Sequence, residues 1–533
     1  MRLAAGLNAC LRSLIRPGLR LLALLSVRHM RKRMARDAAV REALKTHLGI
    51  ATDTPICGYD SKLRERVLSA VKADPAAVIV RTSGSTQEPK ELLYTPRRLR
   101  RLEKAFALAT ARIVHALNVR RPIVFTLAST KEDDSLTSLY AWKHGKMPSR
   151  LDCWVTPHLI LAHPSLQDKI AEHGLSAVRL WAILLSNPGW LYSTNPSTQA
   201  LFLRQLETDW RGARSVIQAW LSEAPPSPTM QRLARRIVSP GWQSRMQACL
   251  DADSPWPVHT WWPGLELRSS WDGGSVGTFL SDVEARLPDS VRFVPMFSMS
   301  TESIETLPFF VDGTPRFLPL APGVLVEFLP ENAPDEPHLL LEPGDLKTGA
   351  HYAMVLSDSY GLIRYQTEDV FECLGMESGQ PDLAFRRRRG LSWSFTGEKL
   401  TGAQLESAFS LLREDCKLGG DIALSLAPTD PPNTLPGYVL VVGHTAAPPP
   451  AIDPLVDSLE RRLRAINTEY ADKRDSGRLA PLRPVVIEYD RLAALLDPRA
   501  SGADATAQRA WDSQFKLLPL LQRHWEELDS DDL

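Results

Sequence analysis

The sequence lacks several features that would mark common classes of protein. Its 63 Lys and Arg residues nearly match its 62 Asp and Glu residues, so the chain has no overall field for holding nucleic acid. Its six cysteines include no CxxC pair, which argues against a disulfide framework or zinc cluster and predicts a reducing, cytoplasmic setting. We find no HExxH spacing, internal repeat or heptad run, so helical metalloproteases, solenoids and coiled coils are excluded.

Long apolar runs are also missing. The longest near the start, residues 21–27, has seven residues, whereas a membrane span needs about 20. The surrounding residues 1–48 hold eleven Arg or Lys against two Asp or Glu, which predicts a basic amphipathic helix. Two interpretations stay open: a helix packed on the protein with its arginine side in solvent, or weak peripheral membrane contact.

The 533 residues, 44% hydrophobic and 23% charged, indicate an ordinary globular protein with more than one core. Strand signals alternate with helical periodicity, which predicts an α/β fold. We expect a large N-terminal domain with mixed β-sheets and helices over residues 1–390, beginning with the basic helical segment 1–50. A smaller α+β C-terminal domain is expected over residues 391–533.

Local patterns predict individual elements. Thr95 and Pro96 are typical of a helix start, and the arginines at 97, 98, 100 and 101 are expected on the solvated side of that helix. A strand is expected at 338–341 and one continuous helix at 454–470.

A turn rich in small residues lies between two predicted strands, 76–80 and 91–94. It combines Gly84 with the hydroxyls of Ser83, Ser85 and Thr86 and ends at Lys90. Backbone donors beside an ammonium group suit a phosphate. A Walker A loop is excluded because GxxxxGK[ST] is absent and a strand follows; an ordinary turn stays the alternative.

Further segments share one order with a known family. They are TSGSTQEPK (82–90), WPGLEL (262–267), WDGGS (271–275), STE (300–302), GLIRYQTEDV (361–370), FRRR (385–388), GEKLT (397–401), the spaced residues Asn467, Tyr470, Arg474 and Gly477, and QFK (514–516). In this order they resemble the auxin-responsive acyl acid amido synthetases, the Gretchen Hagen family of the adenylate-forming superfamily. The chain resembles a divergent, bacterial-type member.

The resemblance implies a fold and an activity. It implies a large adenylate-forming domain and a small mobile one, which use ATP and Mg²⁺ to activate a small carboxylic acid as an acyl-adenylate. The acyl group would then pass to an amine, expected to be an amino acid. A thioester-forming ligase and a degenerate binding protein of the same fold remain alternatives.

The resemblance also implies site residues. The residues that would bind the nucleotide are Ser83, Gly84, Ser85, Thr86, Thr301, Glu302, Asp369 and Arg388. Glu302 would also bind Mg²⁺. The catalytic residues would be Lys90, Lys399 and Lys516. The two oxygens of Asp369 suit the two ribose hydroxyls; a solvent-exposed turn aspartate is the alternative. For Glu302 the alternative is a surface carboxylate. Lys516 would need a domain rotation to reach the site, and the alternative for it is a solvated side chain.

Three positions depart from the family pattern. Gln87, Ser303 and Glu368 stand where the pattern favours glycine, which matters most where φ must be positive or backbone must approach phosphate. Ser298 stands where an aromatic residue is expected near adenine, with Phe297 as a substitute shifted by one. These departures predict an altered substrate or a weakened ATP site.

Overall fold

The computed structural model describes residues 1–73, 76–81, 90–127, 136, 149–223, 227–273, 280, 283–331, 333–388, 392–418, 422–429, 434–444 and 451–488. Their contacts form two compact units. The first contains the described residues of Met1–Arg81 and Glu91–Arg387, and the second contains Lys90 and the described residues from Arg388 onward. The domain limits read from the sequence stay predictions.

The first unit mixes helices and strands. In chain order it contains α1 (Arg2–Met34), α2 (Asp37–Leu48), α3 (Ser61–Ala73), β1 (Val78–Arg81), β2 (Glu91–Tyr94), α4 (Pro96–Ala116), β3 (Val124–Thr126), α5 (Arg150–Val155), α6 (Pro164–His173), α7 (Leu175–Ser186), β4 (Trp190–Tyr192), α8 (Pro196–Ser222), α9 (Pro228–Ile237), α10 (Trp242–Asp251), β5 (Leu267–Ser270), β6 (Arg292–Pro295), β7 (Leu307–Val311), β8 (Thr314–Leu318), β9 (Val324–Pro330), β10 (His351–Asp358), β11 (Tyr365–Glu377) and β12 (Gln380–Arg388).

A parallel sheet confirms the α/β class. Its strands follow the order β3-β4-β5-β6, with Val124 beside Trp190, Trp190 beside Leu267 and Leu267 beside Arg292. Parallel neighbours need crossover connections, and helices α5–α7 and α8–α10 lie in the first two of them. Phe125 and Leu267 are fully buried in this sheet.

A second four-stranded sheet has the order β12-β11-β10-β9. Strand β10 pairs antiparallel with both β9 and β11. The strand predicted at 338–341 is wrong: Pro337–Leu339 form a 3₁₀ turn, and Leu341 makes an isolated bridge to Phe328. Proline has no N–H to donate to a ladder, so Pro337 and Pro343 interrupt pairing on either side of that bridge.

The chain begins with α1, which packs on the first unit. Ser26 accepts a 2.7 Å hydrogen bond from the Arg112 guanidinium of α4, and Met30 and Met34 are buried. In the part of the chain that the structure describes, no helix combines the length and apolar character that crossing a membrane requires.

The second unit has its own sheet and core. It contains β13 (Ser392–Trp393), β14 (Leu400–Thr401), α11 (Gly402–Cys416), β15 (Ile422–Thr429), β16 (Gly437–His444), α12 (Ile452–Ile466), α13 (Thr468–Asp475) and β17 (Arg483–Glu488). Strand β16 pairs antiparallel with β15 and parallel with β17. The single helix predicted at 454–470 is wrong because Asn467 leaves the helical conformation and caps α13, accepting a 2.8 Å bond from the Tyr470 amide.

Candidate active site

The predicted phosphate loop is framed by paired strands. Strands β1 and β2 are antiparallel, with Arg81 opposite Glu91. The Glu91 carboxylate accepts bonds from Arg64 at 3.0 Å and Arg81 at 3.1 Å, and the Arg64 bond contributes most to lowering its pKa. Lys90 is buried immediately before β2. The loop residues Ser83, Gly84, Ser85, Thr86 and Gln87 lie outside the described residues.

Arg98 corrects the expectation of a solvated arginine cluster. Thr95 caps α4 as predicted by accepting a bond from the Arg98 amide, but the Arg98 side chain is buried. Its guanidinium donates to the carbonyls of Leu93 at 2.6 Å and Glu302 at 2.5 Å. It also lies 3.6 Å from the Asp358 carboxylate. The first turn of α4 therefore anchors the turn that carries Glu302.

Thr301 and Glu302 lie in that turn. The Tyr94 hydroxyl donates to the Thr301 carbonyl at 2.9 Å, so β2 and α4 together fix two successive carbonyls. The buried Glu302 carboxylate accepts a 3.2 Å bond from the Tyr365 hydroxyl at the start of β11. Glu302 is therefore held in the interior of the first unit and is not a surface carboxylate.

Glu305 is a functional candidate that our sequence reasoning missed. Its side chain is fully buried and accepts bonds from Ser300 at 2.5 Å and Ser298 at 3.1 Å. Burial above all, and then the negative charges of Asp369 and Glu302, raise the pKa of Glu305 to about 8. Its spacing of three from Glu302, within a serine-rich turn, was the available signal.

Asp369 lies in an irregular part of β11. The register with β10 shifts between Ala353 and Val355, which face Val370 and Gln366 respectively. The Asp369 amide donates to the Thr367 hydroxyl at 3.1 Å, and its side chain is half-buried. Glu368, where the family pattern favours glycine, has a φ of +66°. The position thus has the left-handed backbone that explains the glycine preference.

Asp369 and Glu302 both influence the pKa of Glu305. Both carboxylates act electrostatically on the same buried carboxyl group, although they come from distant parts of the sequence. Oxygen donors of this kind suit Mg²⁺, which proteins often hold with one or two carboxylates and substrate phosphates. Within the described residues no group of three His, Cys, Asp or Glu side chains has the arrangement of a complete metal site.

Arg364 supports the strand end. Its buried guanidinium pairs with Glu327 at 3.1 Å and donates to the Thr54 carbonyl at 2.6 Å. Phe297, the expected substitute for the aromatic residue near adenine, is buried against the Phe106 ring, with 5.3 Å between centroids.

Two other family motifs also have structural roles. The buried indole of Trp262 donates to the Pro188 carbonyl at 2.8 Å. A Cβ at Gly273 would lie 2.5 Å from the Phe385 carbonyl oxygen, so a side chain there would force backbone apart. These segments hold the first unit together.

In the second unit a buried carboxylate precedes Lys399. Glu398 accepts bonds from the amides of Phe395 at 2.7 Å and Thr396 at 2.8 Å and from the Tyr438 hydroxyl. Lys399 follows with a φ of +44° and is half-buried. The hydrogen bonds of the neighbouring Glu398 side chain fix the backbone before it. Arg388 ends β12, and Lys516 lies outside the described residues.

Comparison with known proteins agrees with the motif order. Residues 317–388, which include β9 to β12 and Asp369, match the GH3 family central domain. A probable indole-3-acetic acid-amido synthetase of Oryza sativa subsp. japonica is 28% identical over 188 residues, covering 32% of this chain and 29% of the relative. One of Arabidopsis thaliana is 25% identical over 181 residues, with coverages of 32% and 30%.

The chain is thus similar to GH3 amido synthetases, and residues 317–388 match the central domain of that family. These matches bear out the resemblance predicted from the motifs. The matched part spans less than a third of the length of these curated relatives. Because they are plant proteins, the bacterial type of this chain stays a prediction.

Solved structures of low identity are also similar to this chain. An acyl acid amido synthetase in complex with 2,4-DB is 17% identical with a TM-score of 0.49, covering 84% of this chain and 83% of that one. A 2-hydroxyisobutyryl-CoA ligase in complex with 2-HIB-AMP and CoA is 12% identical with a TM-score of 0.47 and covers 93% of each chain.

Proposed function

We propose that this chain is an ATP-dependent acyl acid amido synthetase of the GH3 family. It would activate a small carboxylic acid as an acyl-adenylate and transfer the acyl group to an amine, expected to be an amino acid. The observation that carries the proposal is the hydrogen bond from Tyr365 of β11 to the buried Glu302 carboxylate, because Asp369 lies four residues further along the same strand and the charges of both carboxylates raise the pKa of Glu305. This arrangement supports the assignment of both residues to one nucleotide site.

The chemistry explains what such a site must supply. In the first step a carboxylate oxygen bonds to the α-phosphorus of ATP while the bond to pyrophosphate breaks. In the second step the amine nitrogen bonds to the acyl carbon and AMP leaves. The first step brings anions together, so cations and backbone donors must balance the charge. We assign this task to Lys90 and to the loop of Ser83, Gly84, Ser85 and Thr86.

The carboxylates would bind the rest of the nucleotide. Asp369, half-buried at the bulge of β11, would accept hydrogen bonds from the two ribose hydroxyls. Thr301 would lie beside the nucleotide. Glu302 would hold Mg²⁺, which supplies charge neutralisation at the phosphates when bound. Tyr365, which donates to Glu302, would orient that carboxylate.

The second unit would act in turn. Arg388 would contact the nucleotide, and Lys399 and Lys516 would stabilise the reacting groups after a rotation about the segment that joins the units. Such reorientation between half-reactions is a familiar form of enzyme control. The Glu398 bonds to backbone amides support a fixed position for the Lys399 backbone.

The decisive experiment measures pyrophosphate release over a panel of carboxylic acids, with and without amino acids. We expect release to depend on one class of acid and to fall at least about a hundredfold in Asp369→Asn, since removing a directed polar contact in a site commonly costs that much. Glu377→Gln, on the same strand and also half-buried, is the matched control. The mass of the product distinguishes an amide from a thioester.

One observation favours the alternative of a binding protein without turnover. Glu368 stands beside Asp369 at a position of positive φ where the family pattern favours glycine, so the segment that would bind the ribose departs from that pattern. Calorimetry with ATP and Mg²⁺ tests this directly. No nucleotide binding would reject the synthetase, and binding without release of pyrophosphate for any acid would favour the binding protein.

A further inference from the structure

Helix α1 carries a row of leucines on the side that faces solvent. The spacings of three, four and seven residues place its members on one face. We call this row the leucine stripe: Leu3, Leu7, Leu14, Leu21, Leu24 and Leu25, whose exposed fractions are 92%, 50%, 66%, 61%, 55% and 56%. Isolated exposed leucines are ordinary, but a continuous row marks an interaction surface.

The opposite face of α1 is already occupied. Ala5, Ala23 and Met30 are buried there, and polar side chains fix the contact. Asn8 donates to the Val238 carbonyl at 2.8 Å and Arg12 donates to the Ile237 carbonyl at 2.8 Å. The helix therefore cannot roll to bury the stripe without breaking these bonds.

The charge around the stripe has one sign. Residues 1–36 hold nine Arg or Lys and no Asp or Glu. Six of these basic residues are exposed: Arg2, Arg20, Arg28, Arg31, Lys32 and Arg36. The sequence-based expectation of an arginine side in solvent is thus incomplete, because the solvated side presents leucines together with the cations.

We propose that the leucine stripe docks on the surface of an anionic lipid bilayer, with α1 lying in the plane of the interface. An amphipathic helix with leucines on one side and cations beside them binds such surfaces through apolar burial and attraction to acidic headgroups. Pairing of two stripes in a second copy would bring two strongly cationic helices together. An anionic bilayer supplies the opposite charge, so the charge pattern favours it.

The test uses the full chain and sedimentation with vesicles. We compare vesicles of phosphatidylcholine alone with vesicles that contain about one third phosphatidylserine, where basic residues gain most. The affinity of the double variant Leu14→Glu, Leu21→Glu for the anionic vesicles should be at least about tenfold lower than that of the wild type. The affinity of the wild type for the neutral vesicles should be lower by a similar factor. Leu221→Glu, an exposed leucine of α8 at 44%, is the matched control and should bind as wild type does.

Folding and activity are monitored separately. Because Leu14 and Leu21 are exposed, the circular dichroism and melting temperature of the double variant should match those of the wild type. Unchanged vesicle binding in the double variant, or equal binding to both vesicle types, would overturn the proposal. The proposal would also be overturned if the wild type bound no vesicles but formed a dimer that the double variant does not form. Pyrophosphate release is measured in the double variant as well. Because it does not depend on vesicle binding, it distinguishes failure of the membrane proposal from failure of the proposed synthetase activity.

Discussion

Arg98 lies in a run of arginines, yet its guanidinium is buried while Arg97 and Arg100 are exposed. A helical period places only some members of such a run toward the core. What the sequence does not reveal is that the carbonyls of Leu93 and Glu302 lie within reach, because one belongs to a neighbouring strand end and the other to a distant turn. The candidate site thus depends on a residue with no motif.

Replacing Arg98 by alanine should destabilise the first unit strongly. The change leaves the buried Asp358 carboxylate without its ion pair and two buried carbonyls without this donor, and removal of one partner of a buried pair typically costs about 3–5 kcal/mol. Urea unfolding measures the loss. The matched control is Arg97→Ala, at an exposed position of the same helix turn, where a change within about 0.5 kcal/mol is expected.

Glu305 should make stability depend on pH. Its pKa in the folded protein is about 8 against an ordinary value of 4.5, so between these values the folded state holds a proton that the unfolded state has lost. The free energy of unfolding should therefore fall as pH rises through this window, by at most about 1.4 kcal/mol per pH unit for one group. Urea unfolding from pH 5 to pH 8, without nucleotide or Mg²⁺, measures the slope.

Glu305→Gln tests the assignment of that slope. Glutamine imitates the protonated carboxyl group, because its amide can both accept and donate a bond with Ser298 and Ser300. The variant should lose the fall in stability with pH and keep its stability near pH 5. Glu377→Gln should retain the wild-type profile. An unchanged slope in Glu305→Gln would show that another group is responsible.

At the scale of elements, the bulge in β11 stores local strain. Glu368 is exposed and has a φ of +66°, where a residue with a Cβ pays roughly 1–2 kcal/mol. Glu368→Gly should therefore raise the free energy of unfolding by about 1 kcal/mol, after the greater freedom of glycine in the unfolded chain is counted. Glu377→Gly, on the same strand without a positive φ, should lower the free energy of unfolding. Thermal unfolding of both variants measures these changes.

Elements with strong local signals were predictable. Thr95 and Pro96 begin α4 as expected, and β2 occupies the predicted residues 91–94. The hairpin of β7 and β8 was missed, although its Asp312-Gly313 turn, with positive φ at both residues, is a strong local signal for a hairpin. At Asn467 a side-chain cap overrides the continuous helical pattern of 454–470, because an asparagine can satisfy the amides of a new helix start.

At the scale of the whole molecule, the motif order predicted the family and brought Glu302 and Asp369 into consideration together. It did not predict Glu305, because the influence of Glu302 and Asp369 on the pKa of Glu305 depends on packing of the turn that carries Glu302 against the start of β11, where Tyr365 donates to Glu302. Nor did it separate the roles within a motif. Arg364 and Trp262 support the fold, whereas Asp369 in the same set is a candidate ligand.

The two units should unfold in separate transitions, because each has a core of its own. Leu318 belongs to a cluster in the first unit and Leu440 to one in the second, and both are fully buried. Leu318→Ala and Leu440→Ala should each cost about 2–5 kcal/mol, and scanning calorimetry should show each variant lowering a different transition. If both variants lower one shared transition by similar amounts, the units unfold cooperatively, and the independent reorientation that the proposed two-step reaction requires would lose its thermodynamic basis.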